Sequence, residues 1–255
     1  MILLMPAPVL EVAELAHTYP DGTKAVQGVS FSVEPGEIVV IIGLSGAGKS
    51  TILRCINGIV RPTKAKIRFL DEQVRWDYGY LLQLRRRIGF IFQNFNILEK
   101  LTVLTNVLLG RLGVQPAWAM PLYRFSQRDR EVATAALAKV GLLKEWHKCA
   151  GELSGGQQQR VGVARALAQE PRLLLADEPV SSLDPLTADR VLGHFVRICR
   201  EEELATVINL HAVPLARKYA DRVLGVRDGR IVFEGKPSQL ELTILQNIYG
   251  EEYDE

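Results

Sequence analysis

A glycine-rich segment near residue 45 has the composition and spacing of a phosphate-binding loop. Residues 43–50 read GLSGAGKS and match the pattern GxxxxGKS. Glycines let backbone N–H groups turn toward phosphate oxygens, and a following helix directs its positive end at the same point. The lysine adds a charge for the terminal phosphates of a nucleotide, and the serine adds a hydroxyl group for Mg²⁺. The predicted phosphate-binding residues are Gly43, Ser45, Gly46, Gly48, Lys49, Ser50 and Thr51.

Two acidic residues come directly after an apolar run in the second half of the chain. Residues 173–176 read LLLA, and Asp177 and Glu178 follow them. In an open parallel sheet, ligands bind beyond the carboxyl ends of the strands, so both carboxylates are expected near the glycine-rich loop. Asp177 is predicted to hold Mg²⁺, directly or through water, and Glu178 to orient and deprotonate an attacking water. A solvated acidic pair is the alternative, and the loop in the same chain favours the catalytic interpretation.

The elements that would position these residues are typical of a parallel α/β sheet. Residues 38–42 form a continuous apolar, β-branched run, as in a strand covered on both faces. The glycine-rich loop follows, and then a helix that has one apolar face and ends at Asn57-Gly58. Strand, loop and helix in this order form the opening unit of such a sheet. Further predicted strands span residues 29–33, 172–176 and 206–210, and a predicted hairpin joins residues 223–226 to 230–233.

The middle of the chain has a different pattern. No convincing strand signal occurs from about residue 94 to residue 160. Residues 129–140 have helical spacing of apolar residues and stop at Gly141, while residues 116–121 carry two prolines and are predicted to be an exposed loop. We predict a helical lobe inserted into the α/β core. After the core resumes, Asp184 and Pro185 predict the start of another helix.

Composition and charge exclude several classes of protein. The chain has 255 residues, of which 47% are apolar and 24% charged, as is ordinary for a globular protein with a sizeable core. A net charge of +2 does not by itself indicate a nucleic-acid partner. No apolar run is long enough to span a bilayer. Three widely spaced cysteines predict reduced thiols and neither a disulfide framework nor a zinc site.

Several short motifs, taken in order, resemble those of the ABC-type ATPases. Residues 153–157 read LSGGQ, the signature of that family, and lie about 20 residues before the Asp-Glu pair, in one chain with the phosphate loop. Gln93 resembles the family's Q-loop glutamine, and residues 182–184 resemble its D-loop. His211 resembles the switch histidine, and Tyr19 the A-loop aromatic that stacks on adenine. The resemblance covers almost the whole chain, from about residue 10 to residue 235.

The resemblance implies an α/β fold: a P-loop NTPase core of the RecA-like type, with an antiparallel β subdomain and an inserted α-helical subdomain. Residues 8–240 would form a single ABC ATPase domain. Its catalytic core would comprise residues 8–93 and 161–240, and its helical subdomain residues 94–160. Residues 241–255 would be a C-terminal tail.

The resemblance also implies that the chain uses ATP and Mg²⁺. Glu178, His211 and Gln93 would be the catalytic residues, and Gln93 would contact Mg²⁺ together with Ser50 and Asp177. In this family two copies face head to tail, so the signature of one copy closes on the ATP that the phosphate loop of the other copy holds. The nucleotide contacts expected outside the phosphate loop are Tyr19, Ser154, Gly155, Gly156, Gln157 and Asp184.

Within the family, this sequence looks closest to the phosphonate-import ATP-binding subunits. Residues 54–58, 92–98, 104–113 and 173–185 carry this resemblance. It implies ATP hydrolysis that drives phosphonate uptake, by a peripheral subunit at the cytoplasmic face of the inner membrane. The implied partners are a second copy of the chain, transmembrane permease subunits, and a periplasmic or extracellular substrate-binding protein that acts through the permease. Nucleic acid is not an expected partner.

Two alternatives stay open from the sequence. One is an importer of phosphite or another small anion, because such relatives look similar. The other is a soluble ABC ATPase that does not transport; such proteins typically carry long coiled-coil insertions or two fused cassettes, and neither pattern is present. Two positions also depart from the family pattern. Lys64-Ala65 stands where relatives usually have a Ser-Gly turn, and Ala212 stands where relatives often carry an aspartate.

Overall fold

The computed structural model describes residues 7–94, 96–114 and 125–253, which form two β-sheets and the helices around them. The strands are β1 (Leu10–Thr18), β2 (Lys24–Val33), β3 (Ile38–Ile42), β4 (Lys64–Phe69), β5 (Glu72–Gln73), β6 (Ile88–Ile91), β7 (Leu173–Asp177), β8 (Ala205–Asn209), β9 (Arg222–Arg227) and β10 (Arg230–Gly235). The α-helices are α1 (Lys49–Ile56), α2 (Tyr78–Arg87), α3 (Val103–Leu108), α4 (Gln127–Lys139), α5 (Gly155–Leu167), α6 (Pro185–Glu201), α7 (Val213–Tyr219) and α8 (Leu242–Tyr249). Short 3₁₀ helices span Leu109–Val114, Leu143–Glu145, Ala150–Glu152 and Pro237–Gln239.

Six strands form the central sheet in the order β10-β9-β3-β8-β7-β6. β6, β7, β8, β3 and β9 run parallel, and β10 pairs antiparallel with β9. The carboxyl ends of the parallel strands therefore lie at one edge of the sheet, where ligands bind in folds of this kind. The phosphate loop, Gln93, Glu178 and His211 each follow one of these strands, so the sheet brings them to the same edge.

Four strands form a second, antiparallel sheet in the order β2-β1-β4-β5. The predicted strand at residues 29–33 is the end of β2, and the turn after it gives Gly36 a φ of 71°. A type II turn requires this left-handed conformation. The departure at Lys64-Ala65 lies in the first two residues of β4, where Lys64 forms an ion pair of 2.8 Å with Glu14 on β1. Residues in a strand do not require the glycine that a turn at this position would require.

The strand β3 separates two hydrophobic cores. All five of its residues are fully buried, which confirms the prediction of a strand covered on both faces. Val39 and Ile41 pack in one core with α1, α2 and the antiparallel sheet, whereas Ile38, Val40 and Ile42 pack in the other core with helices α3 to α8. Because side chains alternate along a strand, one apolar run serves both cores.

The described residues between β6 and β7 are largely helical, as the sequence predicts. α4 ends at Lys139, and Gly141 follows with a φ of 69°, which confirms the predicted stop. Ser126 starts α4 through a capping box with Asp129. α5 crosses the predicted subdomain boundary at residue 160, because its buried face continues as far as Leu167. The predicted loop at residues 116–121 lies outside the described residues.

Within the segment predicted to be a C-terminal tail, Leu242–Tyr249 form the packed helix α8. α8 buries Leu245 and Ile248 completely in the core that contains Ile38, Val40 and Ile42 of β3. A Cβ added at Gly225 in β9 would lie 2.4 Å from Ile248 Cδ1, so the helix sits directly on the sheet. This helix follows residue 240, the predicted limit of the domain, and we propose that the domain extends through it. Its eight residues are fewer than the window in which helical periodicity becomes clear, and its burial on the sheet stabilises it.

Neither disulfides nor membrane-spanning helices occur within the described ranges. All three cysteines, Cys55, Cys149 and Cys199, are free thiols. In those ranges, every helix is too short or too polar to cross a bilayer.

Candidate nucleotide-binding site

The phosphate loop connects β3 to α1 at the carboxyl edge of the central sheet. Gly43, Gly46 and Gly48 have φ angles of 149°, 80° and 100°, which favour glycine. A Cβ at Gly43 would lie 2.1 Å from the carbonyl oxygen of Val226, and one at Gly48 would lie 2.1 Å from that of Ala25. The loop therefore packs against the backbone of two strands, and only glycine fits at these two points. Gly48 is also the N-cap of α1 and has no side chain to cap the first turn. The backbone N–H groups of that turn are therefore available to bind a phosphate.

Lys49 is buried at the start of α1, with 4% of its surface exposed. Its Nζ donates to the carbonyl oxygens of Gly43 at 2.8 Å and Leu44 at 2.9 Å. Burial lowers the pKa of Lys49, and the negative charges of Glu178 and Asp177 act in the opposite direction. The ammonium group of Lys49 thus lies against the loop, where it can donate hydrogen bonds to phosphate oxygens.

Ser50, Asp177 and Asn209 form a hydrogen-bonded group between α1, β7 and β8. Ser50 Oγ donates to Asp177 Oδ1 at 2.7 Å, and Asn209 Nδ2 donates to the same oxygen at 2.9 Å. Arg54 lies 3.8 Å from the other carboxylate oxygen. The sequence alone did not predict Asn209 as a site residue. Asn209 reaches Asp177 because the two residues lie opposite each other in the pairing of β7 with β8. The signal in the sequence is a single amide at the end of the buried strand β8.

The oxygen atoms beside the loop suit an ion that needs few protein ligands. Among the residues that the structure describes, no group of three or more His, Cys, Asp or Glu side chains is arranged to hold a metal. Ser50 Oγ and the buried carboxylate of Asp177 are hard oxygen donors. Mg²⁺ fits this set because it prefers oxygen, keeps several waters and is commonly bound together with substrate phosphates. The residues present therefore fit Mg²⁺ bound together with a nucleotide.

Glu178 lies where three predicted catalytic side chains meet. Its Oε1 is 2.5 Å from His211 Nε2, and its Oε2 accepts a hydrogen bond of 3.0 Å from Gln93 Nε2. These residues follow β7, β8 and β6, which are neighbours in the sheet. Glu178 has a φ of 51°, and this left-handed conformation costs a residue with a Cβ about 1–3 kcal/mol. The contacts with Gln93 and His211, and not this backbone conformation, support a chemical role for the carboxylate, because Glu203 has a similar φ of 50°.

Tyr19 follows β1 and is joined to α1 through its hydroxyl group. The Tyr19 hydroxyl and Thr51 Oγ1 are 3.1 Å apart, so two predicted nucleotide-binding residues contact each other. The half-buried Tyr19 ring also meets the ring of His17 at right angles, with centroids 4.6 Å apart. An aromatic ring held beside the phosphate loop is suited to stack on a nucleotide base.

The signature residues lie at the start of α5, away from the phosphate loop. Ser154 is the N-cap of α5, and its backbone N–H and hydroxyl group donate to Gln157 Oε1 at 3.0 Å and 3.2 Å. In the described part of the chain, no hydrogen bond or ion pair joins residues 153–157 to residues 43–51. Ser154 and Gly155 are exposed, so this helix start is open to a ligand from outside the chain.

Packing within the chain does not require glycine at positions 155 and 156. A Cβ at Gly155 would lie 3.7 Å from Leu183, and one at Gly156 would lie 3.4 Å from Thr187. Neither glycine has a positive φ. The two glycines therefore leave bare backbone at an exposed helix start, next to the residues of the D-loop.

Asp184 starts α6, as the sequence predicts. Its Oδ1 accepts a hydrogen bond of 3.0 Å from the backbone N–H of Thr187, and Pro185 occupies the first helical position. Hydrogen bonds from Thr187 lower the pKa of Asp184, so its side chain is a carboxylate at neutral pH. Asp184 is exposed and shares the surface that the signature residues form.

The predicted site residues thus form two groups in the structure. The group at the carboxyl edge of the sheet comprises Tyr19, Gly43, Ser45, Gly46, Gly48, Lys49, Ser50, Thr51, Gln93, Asp177, Glu178 and His211. The group at the start of α5 and α6 comprises Ser154, Gly155, Gly156, Gln157 and Asp184.

Ala212 leaves the start of α7 without a capping side chain. An aspartate there would accept a hydrogen bond from an N–H group of the first turn. Ala212→Asp is therefore expected to raise the free energy of unfolding by about 0.5–2 kcal/mol, which corresponds to roughly 2–4 °C in melting temperature for each kcal/mol. Thermal unfolding measures the effect, and Ala212→Val, which cannot cap, is the matched control. A melting temperature of Ala212→Asp no higher than that of the control would contradict the role of position 212 as a cap.

The parallel sheet, the phosphate loop and the inserted helical lobe define a nucleotide-binding protein of the P-loop class. A family model described as "ABC transporter" matches residues 26–181. The chain belongs to the ABC transporter family, in which the cassette binds ATP. The predicted fold class and the family resemblance are confirmed.

Curated relatives match almost the entire chain. The "Phosphonates import ATP-binding protein PhnC 1" of Rhodopseudomonas palustris is 48% identical over 95% of this chain and 87% of its own length. The "Phosphonates import ATP-binding protein PhnC 2" of Halalkalibacterium halodurans is 46% identical over 94% of this chain and 99% of its own length.

Solved structures of ABC cassettes share the fold. The cbiO1 protein of Clostridium perfringens, part of the ABC transporter complex cbiONQ, aligns with a TM-score of 0.81 and 30% identity over 91% of this chain and 90% of its own. A dimeric, post-hydrolysis structure of the cassette MJ0796 with ADP and Pi aligns with a TM-score of 0.77 and 32% identity over 89% of this chain and 98% of its own.

Proposed function

We propose that this chain is the ATP-hydrolysing subunit of an ABC importer that takes up phosphonates. The proposal of ATP hydrolysis rests on one observation. Gln93 and His211 both contact the carboxylate of Glu178, next to the hydrogen bond between Ser50 and Asp177. The cargo is supported by relatives named as phosphonate-import ATP-binding proteins, at 46–48% identity over most of the chain.

In this proposal the side chains at the sheet edge divide the tasks of phosphoryl transfer among them. Lys49 neutralises the terminal phosphates, and Glu178 accepts the proton of the attacking water. His211 and Gln93 contact the Glu178 carboxylate through different oxygen atoms, and His211 is also expected to contact the γ-phosphate. Mg²⁺, held by Ser50 and Asp177 with Gln93 nearby, would supply positive charge for the phosphate oxygens. Tyr19 stacks on the adenine base.

A second copy of the chain completes the site. Ser154, Gly155 and Gly156 of one copy close on the ATP bound at the phosphate loop of the other, with Gln157 and Asp184 at the same surface. Two observations support this: the start of α5 is exposed, and packing within the chain does not require its glycines. Bare backbone can approach a phosphate closely, and the start of a helix favours negative charge. The related cassette MJ0796 is dimeric in its structure.

The complete importer would contain transmembrane permease subunits and a periplasmic or extracellular substrate-binding protein. This chain would be a peripheral subunit at the cytoplasmic face of the inner membrane. The names of the relatives as import proteins support this, as does the membership of cbiO1 in a transporter complex. Cargo is then recognised by the other subunits, and nucleic acid is not a partner.

Growth on a phosphonate as the sole phosphorus source tests the proposed function. In a bacterium that carries this gene, Lys49→Ala is expected to abolish growth on methylphosphonate and to leave growth on phosphate unchanged, because Lys49 supplies the charge that binds ATP phosphates. The matched control is Lys66→Ala, which removes an exposed lysine of β4 and should grow like the parent.

Other outcomes of the same test favour the alternatives. Loss of growth on phosphite, with growth on methylphosphonate retained, would assign the chain to a phosphite importer. Growth of Lys49→Ala on every phosphorus source would contradict a role in phosphorus uptake. Purification of the chain with nucleic acid instead of membrane proteins would then favour a soluble ABC ATPase.

A further inference from the structure

His17 is a buried histidine whose polar atoms have no partner. It is 9% exposed, and among the described residues neither Nδ1 nor Nε2 has a hydrogen-bond partner. An unpaired polar group in the interior destabilises a fold in a way that an apolar side chain of the same shape does not. Packing alone therefore does not explain a histidine at this position.

The strand register places His17 beside Tyr19 and opposite a strand that touches the phosphate loop. His17 lies opposite Val26 of β2. The preceding residue of β2, Ala25, touches the phosphate loop, because its carbonyl oxygen leaves no room for a Cβ at Gly48. The His17 ring also meets the Tyr19 ring, with centroids 4.6 Å apart and planes at 89°. His17 therefore contacts the aromatic residue proposed to stack on adenine.

Two contacts hold the Tyr19 ring in place. The first joins its hydroxyl group to Thr51 Oγ1 on α1, at 3.1 Å. The second is the perpendicular packing on His17, an arrangement that is favourable beyond the burial of surface. The hydroxyl contact fixes the tip of the ring, and the His17 contact fixes the plane of the ring. A ring already held in one plane loses less freedom when a base stacks on it.

We propose that His17 is a positioning residue that holds Tyr19 in the plane that receives the adenine base. This inference rests on the proposed role of Tyr19 in ATP binding. His17 offers no ring nitrogen to the nucleotide, because both nitrogens are buried. It acts on the base through Tyr19 and has no effect on the phosphates, which Lys49 and the loop bind.

Two substitutions separate this role from a role in folding. His17→Leu and His17→Phe both remove the unpaired nitrogens, so both should melt at or above the temperature of the parent. Only His17→Phe keeps an aromatic ring against Tyr19. His17→Leu is therefore expected to weaken binding of a non-hydrolysable ATP analogue by about two- to tenfold, whereas His17→Phe should bind like the parent. His17→Val, also suited to a strand, repeats the test if His17→Leu does not fold.

Titration calorimetry with two ligands measures the effect. The affinity for the ATP analogue depends on contacts with both the base and the phosphates, whereas the affinity for inorganic tripolyphosphate depends on contacts with the phosphates alone. The affinity for tripolyphosphate should be the same in the parent, His17→Leu and His17→Phe. Unchanged binding of the ATP analogue by His17→Leu would overturn the proposal, and so would an equal loss of affinity for tripolyphosphate.

A double-substitution cycle separates this proposal from the proposed role of Tyr19. Tyr19→Leu should weaken binding of the ATP analogue, and His17→Leu should cause no further loss when Tyr19 is already leucine. If Tyr19→Leu binds the analogue like the parent, Tyr19 is not the base platform, and both ideas fail. If Tyr19→Leu weakens binding and His17→Leu does not, only the role of His17 fails.

Discussion

Glu178→Gln is expected to lose nearly all ATP hydrolysis while it still binds ATP. The amide keeps the shape of the carboxylate and stays within reach of Gln93 and His211, but it cannot take a proton from water. Loss of a general base typically lowers a rate by about 10²–10⁴-fold. ATP that is bound and not hydrolysed should then hold two copies of the chain together. Phosphate release measures the first effect, and size-exclusion chromatography in ATP measures the second.

Glu203→Gln is the matched control for this experiment. Glu203 is exposed and has a left-handed φ of 50°, close to that of Glu178. It lies before β8, at the opposite edge of the sheet from the candidate site. Its substitution should therefore leave hydrolysis unchanged. Hydrolysis by Glu178→Gln at the parental rate would mean that another group accepts the proton.

Ser154→Arg is expected to lower hydrolysis by about 10²-fold or more without weakening ATP binding to the isolated chain. The long charged side chain would occupy the exposed start of α5, where the ATP of a second copy has to approach. Lys49→Ala should instead weaken ATP binding to the isolated chain, because the ammonium group lies at the phosphate loop of that same chain. Equilibrium ATP binding and phosphate release distinguish the two defects.

A mixture of these two inactive variants tests the composite site directly. In a head-to-tail dimer, the loop of the Ser154→Arg copy meets the intact signature of the Lys49→Ala copy, so one complete site forms. Mixed chains should therefore recover hydrolysis that neither variant has alone. In the control, the Ser154→Arg chain is mixed with a chain that carries both Lys49→Ala and Ser154→Arg. No complete site can form in this mixture, so it should stay inactive. A mixture that stays inactive, or a monomer that hydrolyses at the full rate, would contradict the composite site.

The sequence predicts the parts of the site that depend on neighbouring residues. The phosphate loop is one example, since its glycines, lysine and serine all lie within the eight consecutive residues 43–50. The parallel sheet is another, because continuous apolar runs such as β3 are buried on both faces. Parallel strands end at one edge of the sheet, and Glu178 and His211 follow the neighbouring strands β7 and β8, which explains why they lie together.

Other features depend on register and tertiary packing, which local patterns do not encode. Asn209 reaches Asp177 only because β7 and β8 pair with these two residues opposite each other. The left-handed backbone of Glu178 is imposed by its surroundings, since an isolated glutamate disfavours it. Likewise α8 is stabilised by burial of Leu245 and Ile248 on the sheet, which eight residues of sequence cannot reveal.

The helix α5, which begins at the signature, has a consequence for how the two sites of a dimer behave together. Gln159 lies about one turn after the start of this helix, is 1% exposed, and donates from Nε2 to the carbonyl oxygen of Pro179, the residue after Glu178. In the proposed dimer, the start of α5 meets one ATP, while Glu178 of the same chain acts on the other. One helical turn and one hydrogen bond therefore link the two nucleotides, and hydrolysis is expected to depend cooperatively on ATP concentration.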